Sequence, residues 1–465
     1  MSDEPDLVVL GGGSGGYAAA LRAAQLGLRV TLVEQGKLGG TCLHRGCIPT
    51  KAILHAAEVA DAARHGSRFG VHARVDRIDA SEVTAYAHAV VNRLFKGLTG
   101  LVKARGVTVV EGTGRLEPAG GRIGVRVGDE LLTGAATVLA TGSAPRTLPG
   151  VEIDGTRILT SDHALRLQTL PERALVLGGG VIGSEFASAW TSLGVAVTLV
   201  EALPRLLAAE EPEISTAVER AFGKRGMTVR TGAVVARATA GADGVALRLA
   251  DGSELTGDLV LVAVGRGPVS DGLGYAEAGV VLDRGLVTVD ERLRTTAPDV
   301  YAVGDLVAGP QLAHRGFAHG IFVAEQIAHL AGRLDRAPAP VRDRDLPRVT
   351  YSDPEVVSVG LGEAAAREAY GEVRTTTYDL AGNGKSQILM TQGFVKLVRV
   401  ADGPVVGVHL VGSRVSELAS EAQLITGWDA FPDDVAALSH AHPTQAEALG
   451  EAHLALAGKP LHAHR

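Results

Sequence analysis

The sequence predicts an α/β fold: two parallel-sheet domains of one kind, followed by a C-terminal α+β domain. Three observations carry this reading. Residues 6–34 read DLVVLGGGSGGYAAALRAAQLGLRVTLVE and residues 174–201 read ALVLGGGVIGSEFASAWTSLGVAVTLVE, one pattern used twice. The 60 glycines against 4% aromatic residues suit a fold with many tight turns and close backbone approaches. Past residue 346 the texture changes to alternating strands at 394–400 and 405–411, with helices from about residue 416 onward.

Each copy of the repeat is an apolar strand, a GxGxxG turn, an alanine-rich helix and a second strand that closes on a glutamate. The spacing agrees too, since Glu34 and Glu201 each lie 18 residues beyond the last fingerprint glycine, Gly16 and Gly183. The glycines meet different demands. Gly11 and Gly178 permit the tight turn, Gly13 and Gly180 let backbone approach a pyrophosphate, and Gly16 and Gly183 let helix pack on strand. The helix N-terminus then offers unbonded N–H groups and a positive dipole end to phosphates. A single fingerprint occurs by chance in glycine-rich loops. Two in the same βαβ context predict two Rossmann-like dinucleotide-binding domains.

The only two cysteines, Cys42 and Cys47, fall directly after the first copy, in GGTCLHRGCIPTK at 39–51. A structural bridge here closes too short a loop to remove much unfolded-state entropy. Zinc wants four ligands, and the chain has no second cysteine pair. A redox-active thiol pair beside a bound redox cofactor fits better. FAD therefore suits the first site, because flavin exchanges electrons with thiolate, and a nicotinamide cofactor suits the second. Glu201 accepts hydrogen bonds from a ribose diol and repels a 2′-phosphate, so NAD is expected over NADP. Arg205 is read as a surface arginine rather than a phosphate reader.

Further on, 300–306 reads VYAVGDL, a buried-type strand that ends in Gly304 and Asp305. Asp305 is either a carboxylate at the cofactor edge of a sheet or a cap for the following helix. The stretches 138–150 and 259–268 leave their strands through Gly and Pro, as crossings between domains do. The expected division is 1–150 for FAD, 151–272 for NAD, 273–345 completing the FAD site, and 346–465 as the terminal domain. In that last domain, SHAHPTQAEALGE at 439–451 sets Glu447 five residues after His442. A histidine held by a carboxylate is a general base fixed in one tautomer. By spacing alone a solvated loop histidine is the commoner meaning, in a chain with 15 histidines. His440 and His453 are expected to have no such partner.

Composition narrows the classes. The chain has 465 residues, enough for about three or four domains. A net charge of −7 leaves no basic footprint for nucleic acid. Apolar runs such as 259–264 are strand-length, so no membrane span is expected. The acidic start MSDEPD lacks the features of a signal peptide, and the cysteine usage suits a reducing cytoplasm.

These motifs, with PRVTYSDPEVVSVG at 347–360 and YAVGDLVAGPQLAHRG at 301–316, resemble the pyridine nucleotide-disulfide oxidoreductases nearly end to end. The members most similar are those that oxidise dihydrolipoyl groups with NAD. The resemblance implies a homodimer with shared active sites, the C-terminal domain being the dimerisation domain. FAD and cysteines would come from one subunit and His442 with Glu447 from the other. It implies Cys47 as the flavin-proximal thiolate and Cys42 as the sulfur that exchanges with substrate. Around FAD it places Gly11, Gly13, Ser14, Gly15, Gly16, Glu34, Gly40, Thr41, Gly114, Thr141, Gly142, Gly304, Asp305 and Ala313. Lys51 and Glu185 would form a charged pair near the flavin ring. Gly178, Gly180, Ile182, Gly183, Glu201 and Gly265 would face NAD. A lipoyl-bearing acyltransferase or carrier protein is the implied partner, with the lipoyl group arriving in trans.

Departures from the family pattern are His44 and Arg45 between the cysteines, GFAHG at 316–320 without an acidic residue, and GRGPVS at 265–270. Other flavin disulfide reductases that use NAD(P)H, and quinone-reducing flavoproteins, are the competing readings. Glu201 speaks against NADPH enzymes of the glutathione type, and retention of both cysteines with His442 and Glu447 speaks against a quinone reductase.

Overall fold

The computed structural model describes residues 4–462. They group into two compact units, each assembled from separated stretches of chain.

The first unit takes residues 4–52, 82–146 and 266–343. Its parallel sheet runs in the order Val300–Ala302, Ala136–Leu139, Leu7–Leu10, Val30–Glu34, Thr108–Glu111. Leu7 and Val9 face one core with Leu32, Val138 and Phe322. Val8 and Leu10 face another with Val33, Leu116 and Tyr275. Both faces are covered, which is why the strand reads as an unbroken apolar run. Each such buried Leu or Val contributes ~1.5–3 kcal/mol over an exposed one. One layer is an antiparallel ribbon, Gly114–Ala119, Arg122–Val127 and Glu130–Thr133. The other includes helices Ser14–Gln25 and Ala313–Leu330, which cross at backbone distance. A Cβ on Gly320 would lie 2.2 Å from the Gly15 carbonyl oxygen, and one on Gly316 2.9 Å from Ser14 Oγ. The glycines of GFAHG are thus the price of that crossing.

The second unit takes residues 53–81, 147–265 and 344–462. Its parallel sheet runs Thr228–Arg230, Ala196–Val200, Arg173–Leu177, Leu259–Val262, Ile158–Thr160. It repeats the first sheet's scheme, with helix Val181–Ser192 after the central strand. The terminal portion is a five-stranded antiparallel sheet, Arg348–Thr350, Glu355–Gly360, Val405–Gly412, Phe394–Val400, Val373–Asp379. Helices Ala419–Gly427 and Glu447–Leu456 bury one of its faces. Lys396, 4% exposed, joins this sheet to the segment before it through Glu211 at 2.7 Å and Glu213 at 2.8 Å, and also pairs with Glu363 of the terminal portion at 3.0 Å. Burial lowers its affinity for a proton, but the three carboxylates outweigh that and push its pKa up. No helix among the described residues is long and apolar enough to cross a membrane.

The two expected crossings meet. Ser143–Pro145 pairs antiparallel with Arg266–Pro268.

Candidate active site

The two glycine turns have nearly one geometry. Gly11 has φ +103° and Gly178 φ +108°, a conformation that side chains resist. A Cβ on Gly16 would sit 1.8 Å from the Gly11 carbonyl oxygen, and one on Gly183 1.8 Å from that of Gly178. A Cβ on Gly13 would meet only Gly40, at 3.9 Å, and one on Gly180 nothing within 4 Å. The space before these two helices is therefore open to a phosphate. Both helices start without a side-chain cap or an acidic residue in the first turn, so their N–H groups and positive dipole ends serve that space. Glu34 Oε2 accepts from Gly12 N at 2.6 Å, and Glu201 Oε2 from Gly179 N at 2.6 Å. The other oxygens accept from Gly36 N and Leu203 N at 2.8 and 2.7 Å. Each carboxylate is pinned at the rim of its turn, with lone pairs left for ribose hydroxyls. These features fit dinucleotides at both turns. Ile182 opens the second helix behind Val181. A Cβ on Gly142 or Gly265 would face open space.

The thiols stand against the first turn. A Cβ on Gly40 would lie 2.6 Å from Gly13 Cα, so helix Gly40–Arg45 touches the turn backbone to backbone. Gly46 ends that helix, and Cys47–His65 begins the next, carrying Lys51. Both cysteines are thiols here and partly buried. The hydrogen bond from Cys42 to Cys47 pushes the Cys42 pKa far up, burial and the Cys47 charge add to it, and the Lys51 ammonium opposes. The Tyr17 phenol is pushed up to about 12, by burial first and then by the charges of Cys42 and Cys47. His44 Nε2 donates to the Leu38 carbonyl at 2.8 Å and its ring meets Phe95 edge-on at 5.2 Å, while Arg45 is exposed.

Asp305 lies in the turn Gly304–Leu306 and does not cap helix Ala313–Leu330, whose N-cap is Leu312. Its Oδ2 accepts from Ser143 Oγ at 2.6 Å. Arg266 donates to Ser143 Oγ at 2.8 Å, to its carbonyl at 2.6 Å, and to Thr41 Oγ1 at 3.4 Å. A polar chain thus runs from Asp305 to the residue before Cys42. The sequence reading missed Ser143 and Arg266, and Arg266 in GRGPVS was its one visible signal. Thr141 Oγ1 donates to the Val269 carbonyl at 2.6 Å. Gly114 is packed beneath Leu10 and Val125, each within 2.8 Å of a Cβ placed there. Glu185, 3% exposed, accepts from Tyr351 N at 3.0 Å.

His442 and Glu447 are brought together. His442 Nδ1 donates to Glu447 Oε1 at 2.8 Å, since a carboxylate only accepts. That leaves Nε2 with a lone pair on a side chain 78% exposed. Burial pushes the Glu447 carboxyl up, but the Thr444 amide at 2.7 Å and the His442 imidazole outweigh it and hold the pKa down. Asn383 steadies the loop by donating to the Thr444 carbonyl at 3.0 Å.

Two expectations, those for His440 and Arg205, need correction, whereas His453 has no carboxylate partner among the described residues, as expected. His440 does have a carboxylate, Glu421 Oε1 at 2.8 Å, which pushes its pKa up. The partner lies 19 residues back, outside any local pattern. His453 is fully buried, donates to the Leu449 carbonyl at 2.6 Å, and burial pushes its pKa down to about 4. Arg205 is a half-buried staple that donates to the carbonyls of Glu210 and Ala208 and to Ser215 Oγ, at 2.6, 2.7 and 3.1 Å.

Two family models match the chain. Residues 5–320 match the pyridine nucleotide-disulphide oxidoreductases, and residues 346–453 their dimerisation domain. A dihydrolipoyl dehydrogenase of Bacillus subtilis is 40% identical, with 99% of this chain and 100% of that protein covered. The mitochondrial dihydrolipoyl dehydrogenase of Pisum sativum is 36% identical over 99% of this chain and 93% of its own. The crystal structure of LpdA from Mycobacterium tuberculosis superposes with a TM-score of 0.89 at 29% identity, covering 97% of this chain and 99% of that one.

Proposed function

The chain belongs to the pyridine nucleotide-disulphide oxidoreductases, and we propose that it oxidises dihydrolipoyl groups with NAD as a flavoprotein homodimer. The observation that carries this is a thiol pair, Cys42 and Cys47, lodged against a dinucleotide turn whose opposite number lacks one. FAD at the first turn supplies the two-electron relay that joins a dithiol to a hydride acceptor. Its pyrophosphate would lie before Gly13 and Ser14, with Glu34 at the ribose and Asp305 and Ser143 toward the flavin end. NAD would take the second turn, with Glu201 at the ribose.

In the oxidised enzyme Cys42 and Cys47 share a disulfide. His442, supplied by the second copy and steadied by Glu447, takes the proton from a dihydrolipoyl thiol through Nε2. The substrate thiolate bonds to Cys42 sulfur, the Cys42–Cys47 bond breaks, and Cys47 leaves as thiolate. The second substrate sulfur, once deprotonated, closes the lipoyl disulfide and releases Cys42. The enzyme is then left with the electron pair on its two sulfurs. Cys47 opens helix Cys47–His65, and that N-terminal position supports it as the anion of the reduced pair.

The lipoyl group would be delivered by an acyltransferase or carrier protein, in a reducing cytoplasm. His442→Gln removes the base and should lower NADH formation from dihydrolipoamide about 100-fold while FAD content stays unchanged. Unchanged turnover would remove His442 from the reaction. A purified protein that stays colourless after reconstitution with FAD would overturn the whole reading.

A further inference from the structure

Helix Ala313–Leu330 holds the turn Gly304–Leu306 by both the N–H and the carbonyl of one residue, Gly304. Arg315, 2% exposed, donates to the Gly304 carbonyl at 3.1 Å and also to the carbonyls of Val307 and Ala308. One helical turn later, His319 Nδ1 accepts from Gly304 N at 3.3 Å, with the ring 3% exposed. Its Nε2 faces Asp343 Oδ1 at 3.7 Å, the same oxygen that accepts from Arg315 Nε at 2.8 Å. Gly309 makes room for this cluster, since a Cβ there would lie 2.4 Å from Arg315 Nη2 and 2.5 Å from Asp343 Oδ2.

We propose that His319 is a positioning residue for the Gly304–Asp305 turn, and that it makes retention of FAD depend on an unprotonated imidazole. The inference rests on the reading that FAD occupies the first site. An imidazole nitrogen accepts a hydrogen bond only through its lone pair. Protonating Nδ1 turns the acceptor into a donor that faces the donor of Gly304, so the bond is lost and two N–H dipoles oppose each other. An amide or carboxyl oxygen at this position would keep a lone pair to accept with in either protonation state.

The surrounding charges fit such a switch. Burial pushes Asp343 up, but the hydrogen bonds of His319 and Arg315 outweigh it and bring its pKa to about 2. It therefore stays an anion well below neutral pH. Asp305, on the turn itself, is engaged by Ser143. From the crossing helix Ser14–Gln25, Ser14 and the backbone of Gly15 and Ala19 come closest to Gly316 and Gly320, while Arg22 pairs with Glu325 farther along.

The test uses the FAD-loaded full chain at about pH 8 and about pH 5. Free flavin is measured by fluorescence after rapid desalting, and far-ultraviolet circular dichroism confirms that the chain remains folded. Wild type should release about fivefold more FAD at the lower pH, while His319→Glu and His319→Gln, whose oxygens accept in either condition, should release no more than at pH 8. Parallel acid release by wild type and both variants overturns the inference and leaves the assignment of the first site standing. Protein that never holds FAD overturns that assignment, and the inference with it.

Discussion

The turns that begin at Gly11 and Gly178 differ by five degrees in φ and place their glutamates at the same 2.6 Å from the backbone. Their neighbours differ completely. The first touches the thiol-bearing helix through Gly40 and lies under a helix that returns from residue 313. The second is followed by a loop that Arg205 ties down from within. Local sequence thus builds the phosphate cradle, and distant chain decides what chemistry surrounds it.

The strongest challenge to this contrast is Cys42→Ser. Oxidation of dihydrolipoamide should fall by about 1,000-fold or more, because no other thiol receives the substrate sulfur, while both dinucleotides still bind. NADH formation and flavin absorbance together check it. Next come Gly16→Ala and Gly183→Ala, each driving a methyl into a carbonyl 1.8 Å away at a cost of about 3 kcal/mol. The first should lose FAD. The second should stay yellow and lose NAD, read by titration calorimetry, and identical phenotypes would erase the distinction between the sites. Glu201→Gln keeps one accepting oxygen and should raise the NAD dissociation constant about tenfold without changing FAD content. Smallest is Arg205→Met, which should cost about 1 kcal/mol in urea unfolding and leave the preference for NAD over NADP unaltered. A shift in that preference would restore Arg205 as a reader of phosphate.

What the sequence made legible was local. The glycine fingerprints, the strands flanking them, the spacing of His442 from Glu447 and the alternating strands past residue 346 all arise from neighbours within a few turns of chain. What stayed hidden were pairs of distant residues. Ser143 meets Asp305 across 162 positions, Arg266 meets Thr41 across 225, and Lys396 meets Glu213 across 183. His440 looked unpartnered for the same reason. Arg205 looked like surface because the carbonyls it ties become acceptors only once the loop has folded around it. The departures GFAHG and GRGPVS were visible as oddities. Their meaning needed the helix crossing at Gly15 and the Arg146 side chain, which lies 2.8 Å from a Cβ placed on Gly267.

The edge strand Val300–Ala302 pairs with Ala136–Leu139, although residues 147–265 between them belong to a different unit. On the ribosome the second strand therefore emerges long before its partner. At ~5–20 residues per second the wait is roughly 10–30 s, during which an apolar strand edge stands open while other chain folds. Crowded translation should punish this protein at that stage, and chaperones that shield nascent strands should raise its yield more than that of a chain whose sheets close in order.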